Sequence, residues 1–376
     1  MEYETLNAFD LIPKLIRASF DADRKTIEAI SLAIIKKIKK EFPDTAGEIA
    51  KILSYSGFDS STARSIDMQP LPVDKETRYS LVKLEEPCEV LDPILDGVSR
   101  MQLDDFFRER EMLHTFLEED IIPPNSILLD GQPGVGKTYI AKWISYKLQL
   151  PLVTLDLASS ISSYLGRSGQ NIKTIFDYAK SQNAVLFLDE LDAVAKRRDD
   201  AGDLGELKRL VNVLLKELES CPCTCVIIGA TNHPELLDKA IWRRFDRSLT
   251  IPMPGANERE ALIERHLAKY ISHLRKETLA YLIKNTSNVN AADICKLCEH
   301  IKRQTVLSPG LSFGLIALSE LCKIVQLSSK EEKIAICRTL KEDVENLTQR
   351  DISQITNIPL ATVSRYLSMN PMAKGE

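Results

Sequence analysis

The chain has 376 residues, a net charge of −5, 44% hydrophobic and 27% charged side chains, the balance of a folded protein of two or three structural units. That acidic balance excludes a surface that coats nucleic acid throughout. No run of about 18 apolar residues is present to span a membrane. The first residues, Met1-Glu2-Tyr3-Glu4, lack the basic-then-apolar pattern of a secretory leader, so a cytoplasmic location is expected.

Residues 1–55 read as a helical N-terminal domain, with apolar positions at Leu11, Ile12, Leu15 and Ile16 and again at Ile27, Ile30, Ile34, Ile35 and Ile38. Lys36, Lys37, Lys39 and Lys40 then form a solvated basic face. Residues 56–99 form a linker, rich in Ser, Asp and Pro between Gly57 and Glu76. From about Leu81 to Leu307 the pattern alternates apolar strands with amphipathic helices. Strands are predicted at 127–129, 152–155, 185–188 and 226–228, and helices at 137–148 and 172–180. Continuous apolar strands of this kind belong to a parallel sheet covered by helices on both faces, hence an α/β fold.

Eight cysteines include Cys221, Cys223 and Cys225, which on a strand would share one face, and Cys295 and Cys298 near His300. Neither group has the second, correctly spaced ligand pair of a zinc ribbon or finger, so ordinary thiols are expected.

Gly131-Gln132-Pro133-Gly134-Val135-Gly136-Lys137-Thr138 fits the P-loop pattern without a mismatch, after a predicted strand and before a predicted helix. The glycines let backbone N–H groups wrap phosphates, and the helix N-terminus adds partial positive charge. Lys137 is expected to reach the β- and γ-phosphates of ATP, and the Thr138 hydroxyl to help hold Mg²⁺. The strand 185–188 ends in Asp189-Glu190. Both carboxylates are thereby delivered to the C-terminal edge of the sheet, Asp189 toward Mg²⁺ and Glu190 toward the attacking water.

With these motifs the region 100–305 resembles the AAA+ ATPases, and within them the AAA branch. Ala230-Thr231-Asn232 resembles the family's sensor 1, which implies that Asn232 positions the attacking water. Arg243 and Arg244 resemble the arginine fingers that reach the nucleotide of a neighbouring subunit, although the usual spacer between them is missing. Ser163-Tyr164-Leu165-Gly166 resembles the pore loop, with Tyr164 and Leu165 as its gripping residues. Asn290-Ala291-Ala292-Asp293 resembles the start of the lid helix, with Ala291 in place of the usual glycine. The resemblance implies a homo-oligomer, a hexameric ring, completed by a residue acting in trans.

Near the end, Leu347 to Leu367 looks like a DNA-binding helix-turn-helix. Thr348 is its N-cap, Asn357 its left-handed turn, and Ile352, Ile355, Ile358, Val363 and Leu367 its packing side. Ala361, Thr362, Ser364, Arg365 and Tyr366 would then face a DNA groove or its phosphates. Three basic residues against two acidic ones between Thr348 and Glu376 give one copy little affinity for phosphate.

The expected architecture is therefore a helical domain at 1–55, a linker at 56–99, a P-loop nucleotide-binding domain with a parallel sheet at 100–252, an α-helical lid at 253–307, and a helical region at 308–376 carrying the helix-turn-helix at 347–367. The expected activity is ATP hydrolysis driving a motor that remodels or unfolds a protein client by pore-loop threading. The alternative is a DNA-associated regulator whose nucleotide state controls its assembly on DNA.

Overall fold

The computed structural model describes residues 11–20, single positions between 30 and 46, and residues 71–73, 80–119, 121–157, 168–193, 204–325, 329–343 and 347–369. The chain divides into two compact units, Met1–Pro70 and Leu71–Glu376. The described part of the first contains the helix Ile12–Phe20, whose Ile12 and Ile16 are exposed and whose Ala18 is buried. Of the lysine cluster expected to lie on a solvated helix face, only Lys37 is described, and it is exposed.

The second unit is built on a six-stranded sheet in the order β1-β3-β4-β5-β2-β6. Its strands are β1 (Lys83–Glu85), β2 (Ser126–Asp130), β3 (Leu152–Asp156), β4 (Val185–Asp189), β5 (Val226–Thr231) and β6 (Arg247–Thr250). β1 runs antiparallel to β3, and every other pairing is parallel. The stretch 56–99, expected to be a linker, thus already contributes an edge strand, with Leu81 and Val82 buried beside it.

Each central strand serves two cores, because successive side chains point to opposite faces. Leu128, Val153, Leu155, Leu186, Leu188 and Ile227 pack under the helices Ser168–Ser181 and Leu204–Glu219. Ile127, Leu129, Val185, Phe187, Val226 and Ile228 pack on the other face against Leu103, Phe106, Ile140 and Trp143 of the helices Gly97–Glu111 and Lys137–Leu148. Burial on both faces is what makes these strands read as unbroken apolar runs.

The helices Ala256–Leu267, Lys276–Asn285 and Ala291–Leu307 follow β6. They share one hydrophobic core with Phe313–Ile324, Lys330–Asp343, Gln349–Thr356 and Leu360–Ser368, running from Leu262 to Tyr366. The boundary expected at 307/308 falls inside that core. Among the described residues no helix is long and apolar enough to cross a membrane.

Cys221, Cys223 and Cys225, which on a strand would share one face, do not lie on one. They occupy the turn ahead of β5, where the Cys225 N–H donates to the Pro222 carbonyl at 3.0 Å. Pro222 cannot donate to a ladder, which keeps this segment out of the sheet. Cys295 lies beside His266, with Sγ 3.2 Å from Nε2.

Candidate nucleotide site

The site forms where β2, β4 and β5 end. β2 stops at Asp130, and Gly131, Gly134 and Gly136 all take positive φ (151°, 80° and 106°) to turn the chain into the helix Lys137–Leu148. Two of these glycines are required by contact as well as by conformation. A Cβ on Gly131 would stand 2.4 Å from the Ile251 carbonyl, and one on Gly134 2.6 Å from the Asn290 carboxamide. The second contact joins the loop to the start of the helix Ala291–Leu307. The Ala292 N–H donates to the Gly134 carbonyl at 2.9 Å, and Asn290 caps its own helix through the Asp293 N–H at 2.8 Å. The expected start of the lid helix therefore rests on the phosphate loop.

Lys137 is only 7% exposed. Its ammonium donates to the Gly131 carbonyl at 2.6 Å, the Gln132 carbonyl at 3.1 Å and the Asn232 Oδ1 at 2.7 Å. Burial lowers its proton affinity, against the pull of Asp189, Asp192 and Asp130. Asp189 is pushed up by burial first, and is held down by the Glu190 N–H, which donates to its Oδ1 at 2.9 Å, by Lys137 and by the Thr138 hydroxyl. Glu190 is exposed, with φ of +54°. In that left-handed backbone, strained for a side chain that is neither Gly nor Asn, the carboxylate stands off the end of β4.

The residues present suit a nucleoside triphosphate with a magnesium ion. Successive N–H groups at a helix N-terminus and a buried ammonium suit phosphate. The Thr138 hydroxyl and Asp189 in contact are hard oxygen donors of the kind Mg²⁺ takes alongside phosphate oxygens. Gln132 and Pro133 are exposed on the loop, while Val135 is buried beneath it in the sheet core.

Other expected residues fall as follows. Asn232 follows β5 and meets Lys137 directly. Arg243 and Arg244 cap the short helix Lys239–Trp242, and both are exposed. They differ in their partners: Arg244 forms an ion pair with Glu219 at the end of the helix Leu204–Glu219, whereas among the described residues the Arg243 guanidinium has no ion-pair partner. Tyr164 and Leu165 lie outside the described residues.

The segment expected to be a helix-turn-helix forms two short helices. Thr348 and Asp351 make a reciprocal capping box, and Asn357 sits at φ +55° between Gln349–Thr356 and Leu360–Ser368. Its side chains correct the expectation at Tyr366, which is 6% exposed and packs into the core shared by the helices after β6 instead of facing a groove. The helical period places it one turn from Val363, on the same inward stripe. Thr362 is half-buried, Ala361, Ser364 and Arg365 are exposed, and the Arg365 guanidinium lies 5.6 Å from the Tyr366 ring centroid.

Sequence reasoning did not single out Asp130 and Asp192, both buried beside Lys137. Asp192 carried a faint signal, a third acid one turn after Asp189-Glu190; Asp130 carried none.

Fold and site together define a P-loop nucleotide-binding protein. Residues 127–253 match the model of the ATPase family associated with various cellular activities (AAA). An uncharacterized AAA family ATPase of Sinorhizobium fredii is 44% identical over 258 residues, 69% of this chain and 77% of that protein. Proteasome-activating nucleotidases from two strains of Methanococcus maripaludis, C7 and C6, are each 27% identical over 286 residues, 73% of this chain and 67% of theirs. The chain belongs to the AAA family of ATPases: it binds nucleotide and hydrolyses ATP.

Proposed function

We propose that copies of this chain assemble into a ring, a hexamer by resemblance, that uses Mg²⁺-ATP hydrolysis to unfold or remodel a protein client. The observation that carries the reading is Arg243, exposed and, among the described residues, without an ion-pair partner, in a chain whose nucleotide edge holds its own lysine, acids and amide. An arginine without an acid among the described residues of its own subunit is suited to a phosphate in the next one, and a head-to-tail interface with a closing rotation makes a ring. Lys137 and the P-loop amides bind the phosphates, Thr138 and Asp189 hold the magnesium ion, Glu190 polarises the attacking water and Asn232 orients it. Likeness to proteasome-activating nucleotidases supports a polypeptide client, and Tyr164 with Leu165 are the residues expected to grip it. The lid of 253–307 reports nucleotide state through its contact with Gly134.

DNA is the weaker partner, because the inward Tyr366 leaves Ser364 and Arg365 with little basic support. The test is the ATPase rate with an unfolded polypeptide and, separately, with duplex DNA. Stimulation by polypeptide that disappears in Tyr164→Ala is expected. Stimulation by DNA alone, lost on removing 340–376, would overturn the reading in favour of a DNA-associated regulator.

A further inference from the structure

The turn after β4 carries a third carboxylate. Asp192 is 4% exposed. Its Oδ1 accepts from the Thr231 hydroxyl at 3.1 Å and from the Asn232 backbone N–H at 3.2 Å. The Thr231 oxygen in turn accepts from the His233 N–H at 3.1 Å. One residue earlier, the Leu191 N–H donates to the Ala230 carbonyl at 2.9 Å. The turn that follows the two acids and the end of β5 are thus stitched together over three consecutive residues.

The Asn232 side chain faces the other way, its Oδ1 accepting from the Lys137 ammonium at 2.7 Å. Asn232 is therefore held at both ends, its N–H by a buried anion and its amide oxygen by a buried cation. Removing a carboxylate from water is costly unless it is paired and hydrogen-bonded. A residue needed only to end a strand would not require the charge. Asp192 has both forms of compensation: two donors from the end of β5, and Lys137 near enough that Asp192 raises its proton affinity.

We propose that Asp192 is a positioning residue for ATP hydrolysis: by anchoring the Thr231-Asn232 backbone it fixes the direction of the Asn232 carboxamide relative to Lys137 and the attacking water. The proposal rests on the reading of Asn232 as the group that orients that water. Asp192 acts through Asn232 and not on the nucleotide directly. Its effect passes through the angle of one peptide unit, and a displacement of about 1 Å at a reacting group costs on the order of 10²-fold in rate. Its neighbours in the turn supply the different parts of the site, Asp189 for the metal and Glu190 for the water. One short segment therefore sets the spacing between the acids and the sensor strand.

The experiment is a double-mutant cycle on the full chain, reading kcat and KM for ATP in Asn232→Ala, Asp192→Ala and the pair. Asn232→Ala alone tests the reading of Asn232: full turnover in that variant removes the sensor role whatever Asp192 does. Given a loss there, Asp192→Ala is expected to lower kcat by on the order of 10²-fold with KM for ATP unchanged. The pair is expected to be no slower than Asn232→Ala, because the anchor has nothing left to position. Asp192→Asn, which keeps an acceptor oxygen, is expected to restore most of the rate. If Asp192→Ala does not fold, Thr231→Val replaces it in the cycle, with a smaller loss that also vanishes on the Asn232→Ala background. Losses that multiply in the pair, or a rise in KM without a fall in kcat, would overturn the proposal.

Discussion

The nucleotide edge of the sheet and the two short helices near the C-terminus use their side chains differently. At the nucleotide edge, polar groups are buried or half-buried and gathered around one cation: Asp130, Asp189, Asp192 and Asn232 all act on Lys137 among apolar strands. In the C-terminal helices the inward positions are mostly apolar, and Ile352, Ile358, Val363 and Tyr366 are consumed in the core shared with the other helices after β6. Burying a polar group is costly and persists where it has a partner or a task; burying an aromatic is what folding does anyway. A motif with costly buried chemistry therefore specifies a function more sharply than a motif made of a turn and a hydrophobic stripe.

The comparison breaks most decisively at the arginines. Arg243→Ala is expected to lower ATP turnover by about 10³–10⁵-fold, the range in which arginine fingers act, with nucleotide binding retained. Arg244→Ala should cost much less, because Arg244 is occupied by Glu219 of its own subunit. Steady-state turnover alongside binding of a fluorescent nucleotide separates the two. Equal losses in both variants would return Arg244 to the shared site. Mixing Arg243→Ala subunits, whose own P-loop is intact, with a Lys137→Ala variant that retains Arg243 sharpens the test, since a residue acting in trans restores turnover to a neighbour lacking its own Arg243.

Next in size is Glu190→Gln. A positioned general base contributes about 10²–10⁴-fold, so turnover should fall by that factor while ATP stays bound and the oligomer persists. Gel filtration in the presence of ATP, read with the hydrolysis rate, checks both halves. Residual turnover near the unaltered rate would pass the base role to another group.

How much of this was legible followed from where each signal resides. The helix over 137–148 matches its prediction because a glycine-rich loop marks its start and left-handed Gln149, at φ +54°, its end. The four central strands were legible because both of their faces are buried; they extend the predicted runs by only a few residues. The edge strands were not. Lys83-Leu84-Glu85 has no fully buried side chain, and Arg247-Ser248-Leu249-Thr250 buries Leu249 alone, so neither shows a run. Likewise, the P-loop residues and Asp189-Glu190 were readable as local patterns. The Asp192–Asn232 anchor and the Arg244–Glu219 pair join residues 40 and 25 positions apart, which no local spacing announces. Tyr366 is the instructive failure: the motif placed it on a groove, and a neighbouring core claimed it.

The packing side of the comparison predicts effects on stability and none on chemistry. Ile352→Ala removes a fully buried side chain and should destabilise the unit by ~2–5 kcal/mol, lowering the melting temperature. Arg365→Ala, exposed above the Tyr366 ring, should leave it unchanged. Because the helix Ala291–Leu307, which meets the phosphate loop, shares this core, Ile352→Ala should also weaken the stabilisation by nucleotide, visible as a smaller ATP-dependent shift in melting temperature. A variant that melts earlier with the full ATP shift would uncouple the C-terminal helices from the lid.

The smallest expected effect distinguishes backbone from side chain at the turn itself. Asn357 holds φ +55°, a conformation that asparagine and glycine tolerate and that costs other residues roughly 1–2 kcal/mol. Asn357→Gly relieves any remaining strain but gives the unfolded chain more freedom, so the two terms nearly offset and the melting temperature should scarcely move. Asn357→Ala should lower stability by about 1 kcal/mol, without touching the ATPase rate at a temperature well below unfolding. If alanine and glycine behaved alike there, the residue would matter for a contact its side chain makes, and the exposed turn would become a candidate surface for a partner.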